Sequence, residues 1–505
     1  MSGRAEAAGG FWGHDPEVPL DLGALSAEAF DSITERLADK SMPALADTLA
    51  KVGNCSHPIR LRGSADTFDA ITGELVESFS SQEQPFGLVF IPCGNRREDV
   101  CPACSRLYAR DTFELISTGL HGGKGVPESV TSNPLLFVTL TAPSFGAVHS
   151  ARGGNPCRPR TKSGFCPHGQ ASVCWAKHDN DDTDVGAPLC ADCYDSETAA
   201  IWQWFAPELW RRFTIALRRE LAAELHVPAT ELRTVARLEY AKVAEFQARG
   251  AAHFHALIRL DGSDGQGSPA PAPAAVIEQA VRAAAAAVLV TAPPVDADDT
   301  ARLLRFGSQV DVRTVRPGAI AGDEVTAEQV AAYLAKYATK SAGFDPRQPR
   351  PHLLLLTRAC RMLAARALAG CEHGCAQTAD DHRGRLCDDC KNSTYGLLGR
   401  WSGMLGFRGH FSTKSRRYSV TLGRLRRARR RFQQWSANAA RNGSSLDTGD
   451  LEARLMADEG EETTLVVGSW TYQGTGWLRD GDKALADAAA ARAREYAQWK
   501  SGRAA

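Results

Sequence analysis

The sequence EFQARGAAHFH, residues 245–255, carries two histidines one residue apart behind a turn that contains glycine. The flanking segments, 234–247 and 253–260, alternate apolar and polar residues, which is typical of strands that bury one face. Two such segments joined by a short turn predict an antiparallel hairpin. Phe254 and Ile258 fall on the face that suits a core. Both histidines therefore fall on the opposite face.

Four polar side chains are expected to meet on that opposite face. Residues directly opposite each other in antiparallel strands point to the same side of a sheet. With a five-residue connection, Gln247 is expected opposite His253, and Glu245 opposite His255. Two imidazoles, a carboxylate and an amide suit magnesium or manganese acting as a Lewis acid, and zinc also fits them. An isolated His-x-His pair is more often a solvated strand face, but the opposed Glu and Gln favour the metal site.

A helix with two tyrosines is expected to supply a nucleophile. Residues 326–329 match a capping box, which predicts the start of a helix. Tyr333 and Tyr337 share one face of it, because they are four residues apart. Each is followed three residues later by a lysine, Lys336 and Lys340. A phenol beside an ammonium group suits attack on a metal-polarised phosphodiester. The alternative is a helix whose tyrosines pack on the core while the lysines reach water.

The cysteines are grouped as zinc ligands rather than as disulfides. No secretory signal is visible, so a cytoplasmic and reducing compartment is expected for the 14 cysteines. Three Cys-x-x-Cys pairs, each with further Cys or His residues upstream, are typical of structural zinc sites; scattered reduced cysteines are the alternative. The expected sets are Cys55, Cys93, Cys101 and Cys104; Cys166, Cys174, Cys190 and Cys193, where Cys157 and His168 compete; and Cys371, Cys375, Cys387 and Cys390.

Composition fits a soluble globular chain of several domains. The 505 residues are 43% hydrophobic and 23% charged. No apolar run reaches the roughly 20 residues that a membrane helix needs, so no membrane partner is expected. The sequence predicts no particular oligomeric state.

Net charge is zero, but the basic residues are unevenly distributed. The segment 414–431 contains nine Lys and Arg residues and no acid. Such a segment suits a phosphate backbone, and the neighbouring aromatics Phe411, Tyr418, Phe432 and Trp435 suit stacking on bases. A solvated helix face is the alternative. The residues expected to contact DNA are Lys414, Arg416, Arg417, Arg424, Arg426 and Arg427.

Together these motifs resemble those of a known superfamily. FVTLT at 137–141, the His-hydrophobic-His strand and the Tyr-x-x-Lys-Tyr helix occur in the order found in HUH endonucleases. With GHFSTKSRRYS at 409–419 and the Cys-rich flanks, the chain is most similar to replication initiators of actinobacterial plasmids and integrative conjugative elements. The resemblance covers most of residues 90–435. It implies an α+β fold: a five-stranded antiparallel sheet with flanking helices, elaborated by zinc-binding Cys-rich modules.

The resemblance also implies an activity and its partners. A single-stranded or cruciform origin would be nicked, leaving a 5′-phosphotyrosine and a 3′-hydroxyl that host DNA polymerase extends, and later rejoined. His253 and His255 would be metal ligands with Glu245 as the third, a place for which Gln247 competes. Either tyrosine is a candidate nucleophile. No G-x-x-x-x-G-K-[ST] motif is present, so a host helicase is expected to unwind the DNA.

Other functions fit part of the same pattern. A conjugative relaxase or an HUH transposase would use the same chemistry. A zinc hydrolase would leave the tyrosine helix without a role, and a non-enzymatic zinc-containing DNA-binding regulator would need neither histidines nor tyrosines. The predicted segments are a lead-in (1–50), an N-terminal zinc module (51–125), a nuclease core (126–345) with an inserted zinc loop (155–195), a C-terminal zinc module with the basic stretch (346–440), and a tail (441–505).

Overall fold

The computed structural model describes residues 25–159, 164–315, 327–339, 350–378, 385–445, 449–457 and 464–503. Of the predicted site residues, Lys340 and the side chain of Tyr337 lie outside this description. None of the helices in these ranges combines the length and the hydropathy that crossing a membrane requires.

Helices and strands alternate along the described residues, as in an α+β protein. The helices are α1 (Ala27–Ala38), α2 (Met42–Lys51), α3 (Pro102–His121), α4 (Ser196–Glu224), α5 (Ala274–Ala287), α6 (Ala327–Thr339), α7 (Pro351–Ala367), α8 (Asp388–Asn392), α9 (Leu422–Arg441), α10 (Leu451–Leu455) and α11 (Asp480–Arg503). The strands are β1 (Ile59–Asp69), β2 (Leu75–Ser80), β3 (Val89–Ile91), β4 (Leu135–Leu140), β5 (Ala236–Phe246), β6 (Ala252–Gly262), β7 (Val290–Ala292), β8 (Arg302–Leu304), β9 (Val310–Thr314), β10 (Ser412–Lys414) and β11 (Thr464–Thr475).

The chain divides into two compact units, the first made from its two ends. Met1–Asp111 and Arg424–Ala505 form this unit, and Thr112–Gly423 form the second. In the first, β11 pairs antiparallel with β1, which also pairs with β2 and β3. This ladder departs from the predicted division into five consecutive segments, because it joins the N-terminal module and the tail in one sheet.

A buried ion pair also joins the two ends in the first unit. The Arg36 guanidinium of α1 donates two hydrogen bonds, of 2.9 and 2.7 Å, to the Asp482 carboxylate of α11. Both side chains are almost fully buried. Charged groups are buried at low cost only when each donor meets an acceptor, and the bidentate geometry satisfies that requirement.

The second unit contains a five-stranded sheet in the order β10–β5–β6–β4–β9, in which every neighbouring pair is antiparallel. The predicted α+β class with antiparallel sheets is confirmed. The histidine strand β6 lies at the centre of the sheet and is buried along nearly its whole length. A central strand pairs on both edges, so its backbone is the most firmly held in the sheet.

One face of this sheet packs on the long helix α4. Trp210 of α4 contacts Tyr240 and Phe254, with ring centroids 5.4 and 5.7 Å apart. Phe254 and Ile258 are buried there, as the alternation of the sequence predicted. Full burial of such a side chain contributes roughly 1.5–3 kcal/mol. The hydrophobic interactions on this face direct the histidines of β6 to the other one.

The hairpin between β5 and β6 closes earlier than the sequence predicted. The backbone amide of Gln247 donates to the carbonyl of Ala251, and Gly250 takes a positive φ of 81°. From α4, the Gln203 side chain bonds both Gly250 O and Ala252 N. These contacts set the register at which Glu245 lies opposite His253. The predicted register was wrong by two residues, a shift that leaves every side chain on its expected face.

Candidate functional site

Three side chains from β5 and β6 converge on the face opposite α4. Glu245 Oε2 lies 3.1 Å from His253 Nε2 and 3.0 Å from His255 Nε2, and the two Nε2 atoms are 3.1 Å apart. These three ligand atoms are close enough to hold one metal ion. A carboxylate with two imidazoles suits manganese or magnesium, and zinc also fits such a set.

The charge states of these residues also suit a cation. Burial opposes ionisation of Glu245, but hydrogen bonds from His253 and His255 outweigh it and lower the pKa of the carboxyl to about 2. Burial lowers the pKa of His255 below its usual range, although its bond to Glu245 opposes this. At neutral pH the carboxylate is thus ionised and His255 is neutral, which are the forms that bind metals.

Two residues of β4 hold the His255 ring in place. Thr139 lies directly opposite His255, and its Oγ1 is 3.0 Å from His255 Nδ1. The Phe137 ring stacks on the imidazole, with centroids 5.6 Å apart and planes 7° from parallel. With Nδ1 engaged by the hydroxyl, Nε2 faces Glu245. Such contacts of the distal ring nitrogen commonly orient metal-binding histidines.

The hydroxyl of Tyr333 lies beside the same three side chains. It donates to Glu245 Oε2 at 3.1 Å and is 3.3 Å from His255 Nε2. Helix α6 buries Val330 and Leu334, which directs Tyr333 toward the strands. Tyr333 remains 37% exposed, so part of its side chain faces solvent. The predicted meeting of tyrosine helix and histidine strand thus occurs at Tyr333.

Gln247 does not join this cluster, contrary to the prediction. It lies in the turn, where its Oε1 accepts a hydrogen bond of 2.8 Å from Arg249 Nε. Arg249 in turn donates to the carbonyls of Ala142 and Pro143. The earlier closure of the hairpin moves Gln247 beyond the paired strands, so the carboxylate of Glu245 takes the place opposite His253.

Comparison with known proteins identifies the family. The family described as "RepSA: Replication initiator protein, pSAM2" matches residues 41–491. A replication initiator protein of Streptomyces ambofaciens is 38% identical over 441 residues, which cover 85% of this chain and 86% of that protein. The chain belongs to this family of replication initiators. No solved structure matches it.

Two of the initiator's predicted cysteine sets come together as expected. In the first, Cys93 Sγ lies 3.7 Å from Cys104 Sγ, and Cys101 Sγ lies 3.8 Å from Cys55 Sγ. These separations far exceed an S–S bond of about 2.05 Å. They match the edge of about 3.8 Å that a tetrahedral site with Zn–S bonds of about 2.3 Å would have. The third set, Cys371, Cys375, Cys387 and Cys390, is grouped in the same way.

The middle set of the initiator differs from the prediction. Cys166, Cys190 and Cys193 meet His168, whose Nδ1 lies 3.3 Å from Cys193 Sγ. Cys174 is not part of this group and lies instead with His149, Cys157 and His178. The predicted quartet was wrong because it placed both Cys-rich arms of the insert around one ion. The missed signal was the Cys-x-x-x-His spacing of Cys174 and His178.

The predicted DNA-binding residues divide into exposed and internal ones. Arg416, Arg417 and Arg426 are exposed, as DNA contact requires. Lys414 is turned inward, where its ammonium donates to the carbonyls of Ser415, Arg416 and Ser419 and burial lowers its pKa to about 8. Its predicted role in DNA binding is therefore not supported. Arg424 and Arg427 are partly buried in α9, and Arg424 donates to the carbonyl of Met456.

Two of the four neighbouring aromatics, Tyr418 and Phe411, are buried core residues rather than base-stacking groups, whereas Phe432 is 43% exposed. Arg259, fully buried on β6, lies over the Tyr418 ring and donates to the carbonyls of Gly119 and Tyr418. It also pairs with Asp261 at 2.8 Å. The segment after β10 is thus held by buried contacts, and Arg416 and Arg417 lie at the surface of a fixed loop.

Proposed function

We propose that this replication initiator is an HUH-type DNA strand transferase that nicks single-stranded or cruciform origin DNA and rejoins it through a phosphotyrosine. One observation carries the proposal: the Tyr333 hydroxyl lies within 3.3 Å of both Glu245 and His255. A core tyrosine would be buried in apolar surroundings, whereas this one is exposed and lies at a cluster of metal-ligand atoms. The five-stranded antiparallel sheet supports the HUH assignment, and the family supports origin DNA as the substrate.

Glu245, His253 and His255 would hold one magnesium or manganese ion. Their ligand atoms are separated by 3.0–3.1 Å, and a carboxylate with two imidazoles suits a divalent cation. When bound, the ion supplies positive charge that lowers the pKa of a nearby phenol and polarises a phosphodiester. Without that charge Tyr333 is a weak nucleophile, because a phenol has an ordinary pKa near 10 and Glu245, whose pKa is about 2, is too weak a base to deprotonate it.

The proposed reaction is a transesterification that conserves the phosphodiester energy. Tyr333 Oη forms a bond to phosphorus, the bond from phosphorus to the 3′ oxygen breaks, and that oxygen takes up a proton. The products are a 5′-phosphotyrosine and a free 3′-hydroxyl that a host polymerase extends. Rejoining is the reverse attack by a 3′-hydroxyl, with the phenol as leaving group. No nucleotide cofactor is required at either step, and a host helicase would separate the strands.

Lys336 is the lysine of α6 that would neutralise phosphate charge. It lies three residues after Tyr333 and is exposed on the same helix, so the two side chains are neighbours on its surface. An ammonium there would attract the scissile phosphate and favour the phenolate. Tyr337 and Lys340 complete the predicted repeat and are candidates for a second transfer.

Structural zinc is proposed for the predicted cysteine sets. Cys55 with Cys93, Cys101 and Cys104, and Cys371 with Cys375, Cys387 and Cys390, each bring four sulfur atoms within 4.8 Å of one another. Backbone amides donate to Cys55 Sγ and Cys375 Sγ at 3.3 Å, which stabilises the thiolate form. Zinc at these positions would fold loops too small for cores of their own.

The test is formation of a covalent DNA–protein adduct. Single-stranded oligonucleotides that tile the origin region of the replicon are 5′- or 3′-labelled, incubated with the full chain and manganese, and separated on a denaturing gel. We expect an adduct that carries the 3′-side fragment. Tyr333→Phe should lose the adduct while DNA binding stays within about twofold, since only one hydroxyl is removed.

Tyr337→Phe and Tyr395→Phe provide the comparison. Tyr395 is a buried tyrosine that donates to Pro293 O, so its substitution controls for the loss of any phenol. Both variants should still form the first adduct. An adduct at full yield in Tyr333→Phe would refute Tyr333 as the nucleophile. Binding without any adduct in the wild-type chain, over all oligonucleotides and with manganese or magnesium, would favour the non-enzymatic regulator.

A further inference from the structure

The insert between β4 and α4 contains two separate groups of four metal-ligating side chains. One consists of Cys166, His168, Cys190 and Cys193. The second consists of His149, Cys157, Cys174 and His178. Neither group shares a residue with the other, so a single ion cannot account for both.

The second group has the spacing of a tetrahedral site. His149 Nδ1 lies 3.8 Å from Cys157 Sγ, and His178 Nε2 lies 3.5 Å from Cys174 Sγ. Bonds of about 2.3 Å to sulfur and about 2.05 Å to nitrogen predict nitrogen–sulfur separations of about 3.6 Å. Cys157 and His178 are buried. The four ligand atoms lie within 4.8 Å of one another, a spacing that suits an ion at their centre.

The backbone and a carboxylate prepare these ligands for metal. Reciprocal hydrogen bonds between Arg158 and Cys174 pair the two arms of the insert, which brings Cys157 and Cys174 together. The amide of Ser150 donates to Cys157 Sγ at 3.2 Å. On the far side of its ring, His178 Nδ1 lies 2.7 Å from Asp182 Oδ2. A carboxylate on the distal nitrogen fixes the tautomer in which Nε2 is free to bind zinc.

We propose that His149, Cys157, Cys174 and His178 form a structural zinc site of their own, so that the insert holds two zinc ions. The Cys-rich block is thereby a two-zinc module. Each ion closes one loop of a segment that contains little regular secondary structure, and the folding free energy of both loops comes from metal binding.

This site fixes the part of the insert that touches the catalytic hairpin. The backbone of His149 pairs with Gly186 and Ala187 through hydrogen bonds of 2.9 and 2.8 Å. Gly186 lies directly against the hairpin tip, where an added Cβ would come within 2.2 Å of the carbonyl carbon of Ala248. Strand β5 ends just before the tip, and Glu245 on this strand lies three residues before Ala248. His149 and Gly186 also line a groove of about 1160 Å³ that reaches the tip.

Zinc stoichiometry separates this proposal from a single middle site. The full chain is purified without chelator, and zinc per chain is measured for wild type, Cys174→Ser, Cys190→Ser and the double variant. Two sites predict that each single variant lacks one zinc and that the double variant lacks two. If Cys174 and Cys190 shared one ion, as in the predicted quartet, the double variant would lack only one, and the proposal would be overturned.

Three further variants distinguish the loss of a ligand from misfolding. His178→Ala should lack one zinc, whereas His178→Cys supplies a thiolate and should retain it. Loss of zinc in both, or in neither, contradicts His178 as a ligand. Asp182→Asn should keep the zinc but bind it about 10- to 100-fold more weakly in competition with a chelator, the usual effect of losing an orienting group. A zinc affinity equal to that of the wild type would show that Asp182 does not orient His178.

A consequence for catalysis follows, and it rests on the proposed function. Cys174→Ser should lower adduct yield, because the segment that would hold this zinc contacts the hairpin tip through Gly186. The zinc count is independent of nicking, so it tests the metal site even in a chain that forms no adduct.

Discussion

The Thr139 hydroxyl lies 3.0 Å from Nδ1 of His255, on the side of the ring that faces away from Glu245. The strand pairing that creates this contact places Thr139 directly opposite His255. Thr139 would therefore act on the proposed metal site through the histidine, without being a ligand itself. Its role resembles that of the carboxylates and carbonyls that commonly orient metal-binding imidazoles.

Thr139→Val should weaken manganese binding by about 10-fold, because valine keeps the shape of threonine but leaves His255 Nδ1 without its partner. Thr139→Ser should bind manganese nearly as the wild type does, since it retains the hydroxyl. Affinity is measured by titration calorimetry on protein whose structural zinc content is unchanged. Adduct yield in Thr139→Val should recover at saturating manganese. Failure to recover would mean that the hydroxyl has a role beyond orienting the imidazole.

Glu245→Ala should reduce manganese affinity by more than about 100-fold, because it removes a charged ligand rather than an orienting group. Gln247→Ala is the matched comparison from the same hairpin. Its side chain bonds Arg249 in the turn, so we expect metal binding within about twofold of wild type. Equal losses in the two variants would restore Gln247 as a ligand and contradict the register seen in the structure.

The face of the sheet that carries Glu245, His253 and His255 was predictable, but the register was not. Alternation in EFQARGAAHFH assigns each side chain to a face, and the strands bear that out. The register depends on where the turn closes, and Gln203 of α4 controls that by bonding both Gly250 and Ala252. Gln203 lies more than forty positions before the turn, so the local sequence pattern predicted a strand register that was wrong by two residues.

The cysteine sets show the same limit at longer range. Cys371, Cys375, Cys387 and Cys390 lie close in sequence, and spacing was enough to group them. In the insert, backbone hydrogen bonds between Arg158 and Cys174 pair two segments and place Cys174 near Cys157. Sequence spacing alone did not indicate this pairing, so Cys174 was assigned to the wrong group. In the basic stretch, the positive charge of Lys414 led us to predict a DNA contact. In the structure its ammonium instead donates to the backbone carbonyls of Ser415 and Ser419.

Arg416→Ala with Arg417→Ala should weaken binding of single-stranded origin DNA and reduce its dependence on salt. Each phosphate contact contributes about 0.7 to the slope of log affinity against log salt on single strands, so the double change should lower the slope by about 1.4. Both side chains are exposed on the loop after β10. Binding is measured by fluorescence anisotropy over a range of salt concentrations.

Lys414→Met is the control for that measurement. Because the Lys414 ammonium bonds three backbone carbonyls, its loss should lower the thermal midpoint and leave the salt slope unchanged. A salt slope that falls in Lys414→Met but stays constant in the double arginine variant would reverse the assignment of these residues.

Lys242→Met should stabilise the protein, and the gain should shrink as pH rises. Lys242 points into the core on the α4 side of β5, where its ammonium lies over the Phe254 ring and donates to His410 O. Burial lowers the pKa of Lys242 to about 7. Below that pH the folded chain must keep a charge away from water, and a methionine of similar length avoids this cost. Loss of the bond to His410 offsets part of the gain, so we expect a net effect on the order of 1–3 kcal/mol at pH 6.

The direction of the pH effect follows from proton binding. Between about pH 7 and the ordinary lysine value near 10.4, the unfolded chain holds a proton at Lys242 that the folded chain has released. Stability of the wild type therefore rises with pH in this window. From pH 7 to pH 9 the free energy of unfolding of the wild type should rise by about 2–3 kcal/mol relative to that of Lys242→Met, at 1.36 kcal/mol per pH unit, which closes or reverses the gap expected at pH 6. Thermal unfolding of both proteins across this range measures the gap. Lys51→Met, which changes an exposed lysine paired with Asp47, should show no such trend. A gap that stays constant with pH would mean that Lys242 keeps its proton on folding.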